Sequence, residues 1–377
     1  MDSNMKKKVL FVMENFKSGG IESFFFNVYN NIDLDKFKID LAVNTLDFSS
    51  PFYSIIREKG INVFIYGFSS KSNSIYFSLW KIFKIIKENG EYDVVHSNVG
   101  FANAIVLFIA KFLKINKRFS HSHTSLGVYK NINIILKKVK YVIRSILFRH
   151  LILKFSTKCL AVSNKAVKYL YGNINNYQII KNGIDTVKFK YNQQIRNKFR
   201  EKLNIENKFI VGHVGRFTSP KNHLFLIDIF NEINTRNKNS MLMLIGEGQL
   251  KKNVKQKIEK LKLRNSVVFI GTKNNVNDYY QATDVFILPS LVEGLGIVAI
   301  EAQCSGLPCF ISDGVPDEAM ICNTTKISLS KSAKEWADII LGKIKNFERK
   351  DCSKLVKDAG FDIKDTAKQI EQIYLEG

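Results

Sequence analysis

Short apolar segments alternate with amphipathic or charged segments along most of the chain. Apolar runs at Val9–Met13, Ile39–Val43 and Ile61–Tyr66 are typical of buried strands. The stretch Ser74–Asn89 has the apolar spacing of a helix, and a new alternation starts at Phe209–Val214. Strands that alternate with helices predict parallel sheets covered on both faces. We therefore predict an α/β protein with two doubly wound, Rossmann-like domains facing a cleft.

The domain boundaries follow from changes in this pattern. We predict an N-terminal domain over residues 1–186 and a linker over 187–207, which is highly charged and poor in apolar residues. A C-terminal domain is predicted over 208–360. The last segment, 361–377, has helical apolar spacing that suits packing across the domain boundary.

One stretch in the second half has the form of a ligand-binding junction. The apolar run Val285–Leu288 is followed by Gly294 and Gly296 and then by a helix-favouring segment. Such a turn directs free N–H groups and the positive helix end at a ligand above the sheet, which suits a phosphate. Glu293 and Glu301 lie on either side of the turn. If the chain between them were entirely helical, the two residues would be roughly 12 Å apart. Such a separation favours two separate contacts with one extended ligand.

Similar junctions occur elsewhere. Gly19 and Gly20 follow the first strand, Gly246 follows Met241–Ile245, and Gly271 ends another apolar run. Arg216 and Lys221 stand after the strand Phe209–Val214. Two cations at that position can neutralise a diphosphate, and ion pairs with surface carboxylates are the alternative.

Histidines stand at the ends of two predicted strands. His96 ends one strand, and His121 and His123 alternate onto the same face of another. No third ligand lies close by in the sequence, so a functional histidine is a better prediction than a metal site.

Composition limits the other choices. The 377 residues carry a net charge of +23, with 27 Lys and Arg against 12 Asp and Glu over residues 1–185. This basic first half suits an anionic membrane or substrate, and the absence of nucleic-acid motifs disfavours nucleic acid. The segment Lys130–Lys158 is amphipathic and basic, so it suits either a membrane surface or core packing. The five cysteines show no metal spacing and indicate a reducing cytoplasm.

Taken together, the motifs resemble those of the family-4 retaining glycosyltransferases of GT-B architecture, in particular those that make bacterial capsule, exopolysaccharide and O-antigen. The resemblance extends from Ser18 to about Asp313. Its motifs are Ser-Gly-Gly-Ile-Glu22, Asp-Val-Val-His96, His-Ser-His-Thr-Ser125, Ala-Val-Ser163, Asn-Gly-Ile-Asp185, Val-Gly-Arg216 with Lys221, Gly-Glu-Gly-Gln-Leu250, and Glu293 with Glu301. Lys181 replaces a proline that is common in similar enzymes.

The resemblance implies a role for each motif. Gly20 approaches the donor diphosphate, Arg216 and Lys221 bind it, and Glu301 bonds to the ribose. Glu293 and the amides after it hold the donor sugar and phosphate, and His123, with His121 as its competitor, contacts the transferred sugar. The implied catalytic set is His123, Arg216, Lys221 and Glu293, and the donor-binding set is Gly19, Gly20, Gly215, Arg216, Lys221, Gly246, Gly271, Glu293, Gly294, Leu295, Gly296, Ile297 and Glu301.

The predicted function is therefore transfer of a sugar from a nucleotide-sugar, with UDP favoured over GDP or ADP, to a lipid-linked or growing glycan. We expect no metal or other cofactor and no nucleic-acid partner. The predicted location is the cytoplasm, with attachment to the anionic inner face of the membrane left open. The alternatives are a non-hydrolysing UDP-sugar epimerase and a non-catalytic sugar-nucleotide-binding partner.

Overall fold

The computed structural model describes residues 6–16, 20–46, 51–67, 75–123 and 135–376. The chain divides into two compact units. The first domain comprises Met1–Gly183 together with Ile363–Gly377, and the second domain comprises Ile184–Asp362. Each contains one parallel sheet, so the prediction of two parallel-sheet α/β domains is confirmed.

The first domain contains a seven-stranded sheet in the order β3-β2-β1-β4-β5-β6-β7. The order reverses between β1 and β4, and ligands of open α/β sheets bind at the carboxyl ends of the strands at such a reversal. The strands are β1 (Lys7–Phe16), β2 (Phe37–Leu46), β3 (Val63–Ile65), β4 (Val94–Asn98), β5 (Lys117–Ser122), β6 (Lys158–Ala161) and β7 (Gln178–Ile179).

Helices cover both faces of this sheet. On one face, the buried side of α1 packs over β1 and β2, and on the other face α3 and α4 bury their apolar sides together with Leu10 and Val95. The helices are α1 (Gly20–Tyr29), α2 (Pro51–Glu58), α3 (Ile75–Glu88), α4 (Asn103–Phe112), α5 (Ile135–Phe155) and α6 (Asn164–Leu170).

The second domain repeats this topology with six strands in the order β10-β9-β8-β11-β12-β13. Its reversal lies between β8 and β11, which pair in parallel at Val285 and Val211. The strands are β8 (Phe209–Val214), β9 (Ser240–Ile245), β10 (Val267–Gly271), β11 (Val285–Leu288), β12 (Cys309–Ser312) and β13 (Thr324–Ile327). The helices are α7 (Gln193–Lys202), α8 (His223–Arg236), α9 (Lys251–Lys260), α10 (Val276–Ala282), α11 (Ile297–Cys304), α12 (Ala333–Ile344) and α13 (Ser353–Val356).

The last helix, α14 (Ile363–Glu376), lies in the first domain. Its residues Ile370, Ile373 and Tyr374 are buried in the same core cluster as the aromatic face of α1. Their spacing of three and four residues places them on one side of the helix. This apolar side explains why the chain returns to the first domain at its end.

Residues 187–207, for which the sequence predicts a linker, contain the helix α7. Arg196 and Arg200 donate hydrogen bonds to carbonyl oxygens at the end of α10 and pair with Asp284. Phe199 contacts the ring of Tyr279 edge-on at 4.9 Å. The segment is therefore an integral part of the second domain, because its arginines bond to the protein rather than to solvent.

Among the helices that the structure describes, none combines the length and apolar character needed to cross a lipid bilayer. The predicted amphipathic segment Lys130–Lys158 includes α5, and its residues 130–134 lie outside the described ranges.

Candidate active site

The carboxyl edge of the second sheet carries the predicted diphosphate-binding residues. Arg216 and Lys221 follow β8, and Glu293 follows β11, the strand beside it. Because both strands are parallel and lie at the reversal of the strand order, their following loops meet at one edge. The sheet topology thus brings together residues that are more than seventy positions apart in the sequence.

An ion pair joins the two loops. Lys221 Nζ donates to Glu293 Oε1 at 2.6 Å, and the Ser290 hydroxyl donates to the same oxygen at 2.6 Å. The Lys221 and Glu293 side chains are only 19% and 11% exposed. Backbone bonds fix the frame, since the Leu291 amide donates to the Pro220 carbonyl at 2.7 Å. A cation and a carboxylate are therefore held at this edge with defined positions.

The side chain of Arg216 differs from that of Lys221 in its exposure and in its bonding. Its side chain is exposed, and in the described part of the chain its guanidinium has no hydrogen-bond or ion-pair partner. A guanidinium binds phosphate oxygens through a planar fork of donors. Arg216 is therefore the available cation of the pair, while Lys221 is already oriented by Glu293.

Close backbone contact rigidifies the loop that bears Arg216. The Gly215 amide donates to the Ile245 carbonyl at 2.9 Å, and the Phe217 amide donates to the Glu247 carbonyl at 3.0 Å. Gly246 has a φ of +133°, and a methyl group there would overlap the Gly215 carbonyl oxygen. Only glycine at 246 allows the loops after β8 and β9 to approach this closely.

The Gly294–Ile297 turn leads into α11 as predicted. Gly296 adopts a left-handed conformation with a φ of +87°, and no side chain caps the helix start. Leu295 is buried, so only its backbone is available to a ligand. The first amide groups of α11 therefore carry the partial positive charge of an uncapped helix N-terminus.

Glu301 lies on α11, and the tyrosine Tyr280 of α10 positions its carboxylate. The Tyr280 hydroxyl lies 3.0 Å from both Glu301 Oε2 and the Val298 carbonyl oxygen. Burial raises the pKa of Glu301 to about 7, and the Tyr280 hydrogen bond and the charges of Lys188 and Lys221 oppose that rise. Tyr280 is not evident as a site residue from the sequence, because a tyrosine inside a short helix gives no sign of its partner.

Gly271 ends β10, where its φ is +78° and a methyl group would meet Glu247 Oε1 at 3.4 Å. It belongs to the same sheet edge as Gly246, whose amide donates to the Gly271 carbonyl at 3.0 Å. These two glycines shape the loops at the edge and bring no side-chain chemistry to it.

In the first domain, Gly20 is the first residue of α1, and Gly19 lies outside the described residues. A methyl group at Gly20 would meet no atom within 4 Å in the described structure. Packing within the chain therefore does not require glycine at this position.

The three predicted histidines are brought together at the first sheet. A hydrogen-bonded chain runs from the Tyr374 hydroxyl to His96 Nδ1 at 2.7 Å and from His96 Nε2 to His121 Nδ1 at 3.1 Å. The rings of His121 and His123 have centroids 4.1 Å apart, as their predicted alternation requires. Of these two histidines, His121 is buried within the chain of bonds and His123 is only half-buried.

Asn98 orients the His123 ring. The Asn98 amide nitrogen donates to the Val12 and His96 carbonyl oxygens, so its Oδ1 faces His123 Nε2 at 2.8 Å as an acceptor. Burial lowers the pKa of His123 to about 3, so the ring is neutral with its proton on Nε2. The Nδ1 atom has no partner among the described residues. This nitrogen is itself buried, so it is an acceptor that no described group uses.

Within the described ranges, no three His, Cys, Asp or Glu side chains are grouped so that they could hold a metal ion. The positive groups at the second sheet edge are instead Arg216, Lys221 and the start of α11. These groups and the carboxylates Glu293 and Glu301 suit a ligand with both anionic and hydroxyl-rich parts.

Comparison with known protein families identifies the class. Residues 18–188 match the model of Glycosyltransferase Family 4, and residues 195–359 match that of Glycosyl transferases group 1. The protein EpsF of Bacillus subtilis (strain 168) is 31% identical over 346 residues, which cover 90% of this chain and 88% of EpsF. The chain therefore belongs to the family-4 glycosyltransferases and is an enzyme of that class.

Other relatives have more specific names. The capsular polysaccharide biosynthesis glycosyltransferase CapH of Staphylococcus aureus is 28% identical, over 78% of this chain and 80% of CapH. An Escherichia coli enzyme named UDP-Gal:alpha-D-GlcNAc-diphosphoundecaprenol alpha-1,3-galactosyltransferase is 26% identical, over 63% of this chain and 61% of its own length.

Solved structures confirm the fold. A crystal structure of Anabaena Alr3699/HepE in complex with UDP and glucose superposes with a TM-score of 0.81 at 20% identity, covering 98% of this chain and 100% of the other. The two parallel-sheet domains are thus those of the GT-B architecture.

Proposed function

We propose that this enzyme transfers a sugar, with retention of anomeric configuration, from a UDP-sugar to a lipid-linked or growing glycan in bacterial surface polysaccharide biosynthesis. The observation that carries the proposal is the edge of the second sheet. There the Lys221–Glu293 pair joins the loops after β8 and β11, and Arg216 is exposed in the same loop as Lys221. The relatives' names support the polysaccharide context.

The charges at this edge suit a leaving nucleoside diphosphate. As the bond to the sugar breaks, negative charge develops on the diphosphate, and preorganised positive groups stabilise that charge. Arg216 binds the phosphate oxygens through its guanidinium, and Lys221 adds a point charge that Glu293 holds in place. The uncapped start of α11 adds amide donors.

The carboxylates bind the remaining parts of the donor. Glu301, positioned by Tyr280, accepts hydrogen bonds from ribose hydroxyls. Glu293, which Lys221 and Ser290 hold in position at the sheet edge, accepts a hydrogen bond from a hydroxyl of the donor sugar. In the first domain, His123 contacts the transferred sugar, as the family resemblance implies.

UDP is the nucleotide that the comparisons favour. The Escherichia coli relative has UDP-Gal and a diphosphoundecaprenol-linked sugar in its name, and the Anabaena structure contains UDP. These names support a UDP-sugar donor and a lipid-linked acceptor for this chain. A lipid-linked acceptor would place the enzyme at the inner face of the membrane, and the net charge of +23 favours an anionic surface.

We further propose that transfer needs no metal ion. The cations and helix N-terminus at the second sheet edge supply the positive charge that a divalent ion supplies in other transferases. Activity is expected to be unchanged by a chelator. Complete loss of activity in chelator, restored by Mn²⁺, would contradict this part of the proposal.

The test is a transfer assay with UDP-sugars and an undecaprenyl-diphosphate-linked sugar, in which NMR spectroscopy determines the anomeric configuration of the product. We expect an α-linked product from an α-linked donor. Glu293→Gln should lower kcat by about 100-fold or more, because it removes the charge that orients Lys221. The control is Glu348→Gln, which changes an exposed glutamate of the same domain.

Wild-type turnover of Glu293→Gln would exclude the role of Glu293. An inverted product would exclude retention. Melting temperatures of both variants should match that of the wild type, so that a loss of activity reports on the site rather than on folding.

A further inference from the structure

Three neighbouring helices of the first domain, α3, α4 and α5, form a continuous outer surface. Contacts between aromatic rings connect them. The ring centroids of Phe83 in α3 and Phe112 in α4 are 6.4 Å apart, and those of Phe108 in α4 and Phe155 in α5 are 5.2 Å apart. The inner sides of α3 and α4 are buried together on the sheet, with Phe83 and Phe155 packed at their margin. The outer sides of the helices therefore belong to one surface, which we call the α3–α5 surface.

Large apolar side chains project from this surface. Phe112 is 69% exposed, Phe108 is 50% exposed and Trp80 is 53% exposed. Burying such side chains in an apolar environment would be favourable, so a wide exposed set marks an interaction site. The other exposed apolar side chains on α5 are Ile143, Ile146, Leu147 and Leu153.

Cations are interleaved with the apolar side chains. The ammonium groups of Lys84, Lys111 and Lys154 lie 5.3 to 6.0 Å from the ring centroids of Trp80 and Phe155. The described side chains of the three helices include one carboxylate, and their cations outnumber it seven to one. The carboxylate is Glu88, and the cations are Lys81, Lys84, Lys87, Lys111, Arg144, Arg149 and Lys154.

We propose that the α3–α5 surface docks the enzyme on an anionic lipid bilayer. Apolar side chains enter the boundary of the acyl chains, while lysine and arginine side chains extend to the headgroups. A nucleic acid would match the cations but would leave Ile143, Ile146 and Leu147 without apolar partners. An acidic lipid surface matches both properties, and each cation near it adds to the attraction.

The docking proposal rests on the proposed function, because it specifies which surface attaches the enzyme to the membrane. It involves no residue of the donor site. Its residues lie in the first domain, whereas Arg216, Lys221 and Glu293 lie in the second. Loss of membrane binding should therefore leave nucleotide binding intact. The two proposals fail separately, since one is measured with vesicles and the other with nucleotide alone.

The experiment is co-sedimentation of the full chain with vesicles of phosphatidylcholine, with and without phosphatidylglycerol. The wild type should bind only the anionic vesicles and should dissociate as salt increases. Phe112→Ser with Ile146→Ser should weaken binding at least about tenfold, because two exposed side chains no longer enter the lipid. Lys111→Glu with Arg144→Glu should weaken it similarly at low salt.

Matched controls come from the second domain. Leu355 is 54% exposed and Lys345 is exposed, so Leu355→Ser with Lys345→Glu changes the same kinds of residues away from the α3–α5 surface. This variant should bind vesicles like the wild type. All variants should bind UDP as the wild type does, which shows that they are folded.

Two results would overturn the proposal. One is a wild-type protein that does not bind anionic vesicles at low salt. The other is vesicle binding by the α3–α5 variants that equals that of the control. In the first case a protein partner becomes the better explanation of the surface, and in the second another part of the chain docks on lipid.

Discussion

At the scale of single residues, Glu301 has a charge that changes near neutral pH. Burial raises the pKa of its carboxyl group to about 7, and the Tyr280 hydroxyl bonds to it at 3.0 Å. An ionised carboxylate accepts hydrogen bonds, whereas a protonated one has less acceptor capacity. The contact that we propose between Glu301 and ribose therefore depends on pH.

We predict that UDP affinity falls as the pH is lowered through about 7, because Glu301 takes up a proton in the free enzyme. Tyr280→Phe removes a hydrogen bond that lowers the pKa, so the midpoint should move to higher pH. Calorimetric titrations from pH 5.5 to 8.5 measure both effects. Tyr279→Phe, which changes the neighbouring ring, is the control. A pH-independent affinity in the wild type would exclude Glu301 from the nucleotide site.

Sequence patterns single out the candidate site residues but not the side chains that hold them in position. Arg216, Lys221 and Glu293 are predicted from their positions after strands, and the structure places all three in loops at one sheet edge, while Glu301 lies in the helix α11 as predicted. The partners Tyr280 and Asn98 were missed, because a side-chain contact across elements leaves no periodic signal. Their identification required the paired strands and packed helices of the folded chain.

At the scale of elements, the predictions succeeded where apolar periodicity is strong. The strand Val285–Leu288 and the helix start at Ile297 are confirmed. The strand Thr324–Ile327 was not predicted, because it is a polar edge strand. In α7 and at the residue that follows it, the apolar residues Ile195, Phe199 and Leu203 recur every four residues, but the charges around them gave the composition of a linker.

The loop after β9 gives a testable consequence at this scale. Gly246→Ala should lower the free energy of unfolding by about 1–3 kcal/mol, because alanine is strained at a φ of +133° and overlaps Gly215. It should also weaken UDP binding, since the overlap displaces the loop that bears Arg216. Denaturant unfolding and calorimetry measure the two effects.

The control for this variant is Gly342→Ala. Gly342 lies in helix α12, where a methyl group would meet no atom within 4 Å. Alanine there should stabilise the protein by up to about 1 kcal/mol through its helix propensity. Equal stability of the two variants would show that the close approach of Gly246 is not required.

At the scale of the whole molecule, five of the six histidines are held neutral, four of them buried and His123 half-buried. Burial lowers the pKa of His96 and His123 to about 3, of His213 to about 4 and of His223 to about 2, and holds that of His121 well below its usual value. In the unfolded chain these groups take up protons below about pH 6.5. Acid therefore favours the unfolded state, which binds more protons.

We predict that the free energy of unfolding decreases as the pH falls from about 6.5 towards 4. Each buried histidine contributes up to about 1.4 kcal/mol per pH unit. Among the described residues, neither ring nitrogen of His223 has a hydrogen-bond partner. Its ring stacks on that of Phe217, with the ring centroids 4.2 Å apart. His223→Phe should therefore raise the melting temperature more at pH 5 than at pH 7.5.

Differential scanning calorimetry measures this difference between the two pH values. The control is His150→Gln, at an exposed position of α5, which should leave the pH dependence unchanged. A melting temperature of the wild type that does not change between pH 7.5 and 5 would contradict the account of the buried histidines.

The central claim is that the carboxyl edge of the second sheet binds a nucleoside diphosphate through Arg216. The most direct measurement is calorimetric titration of the metal-free protein with UDP, GDP and ADP. We predict micromolar binding of UDP, loss of that binding in Arg216→Ala, and normal binding in Arg264→Ala, which changes an exposed arginine before β10. Binding of none of the nucleotides, or equal binding by both arginine variants, would contradict the claim.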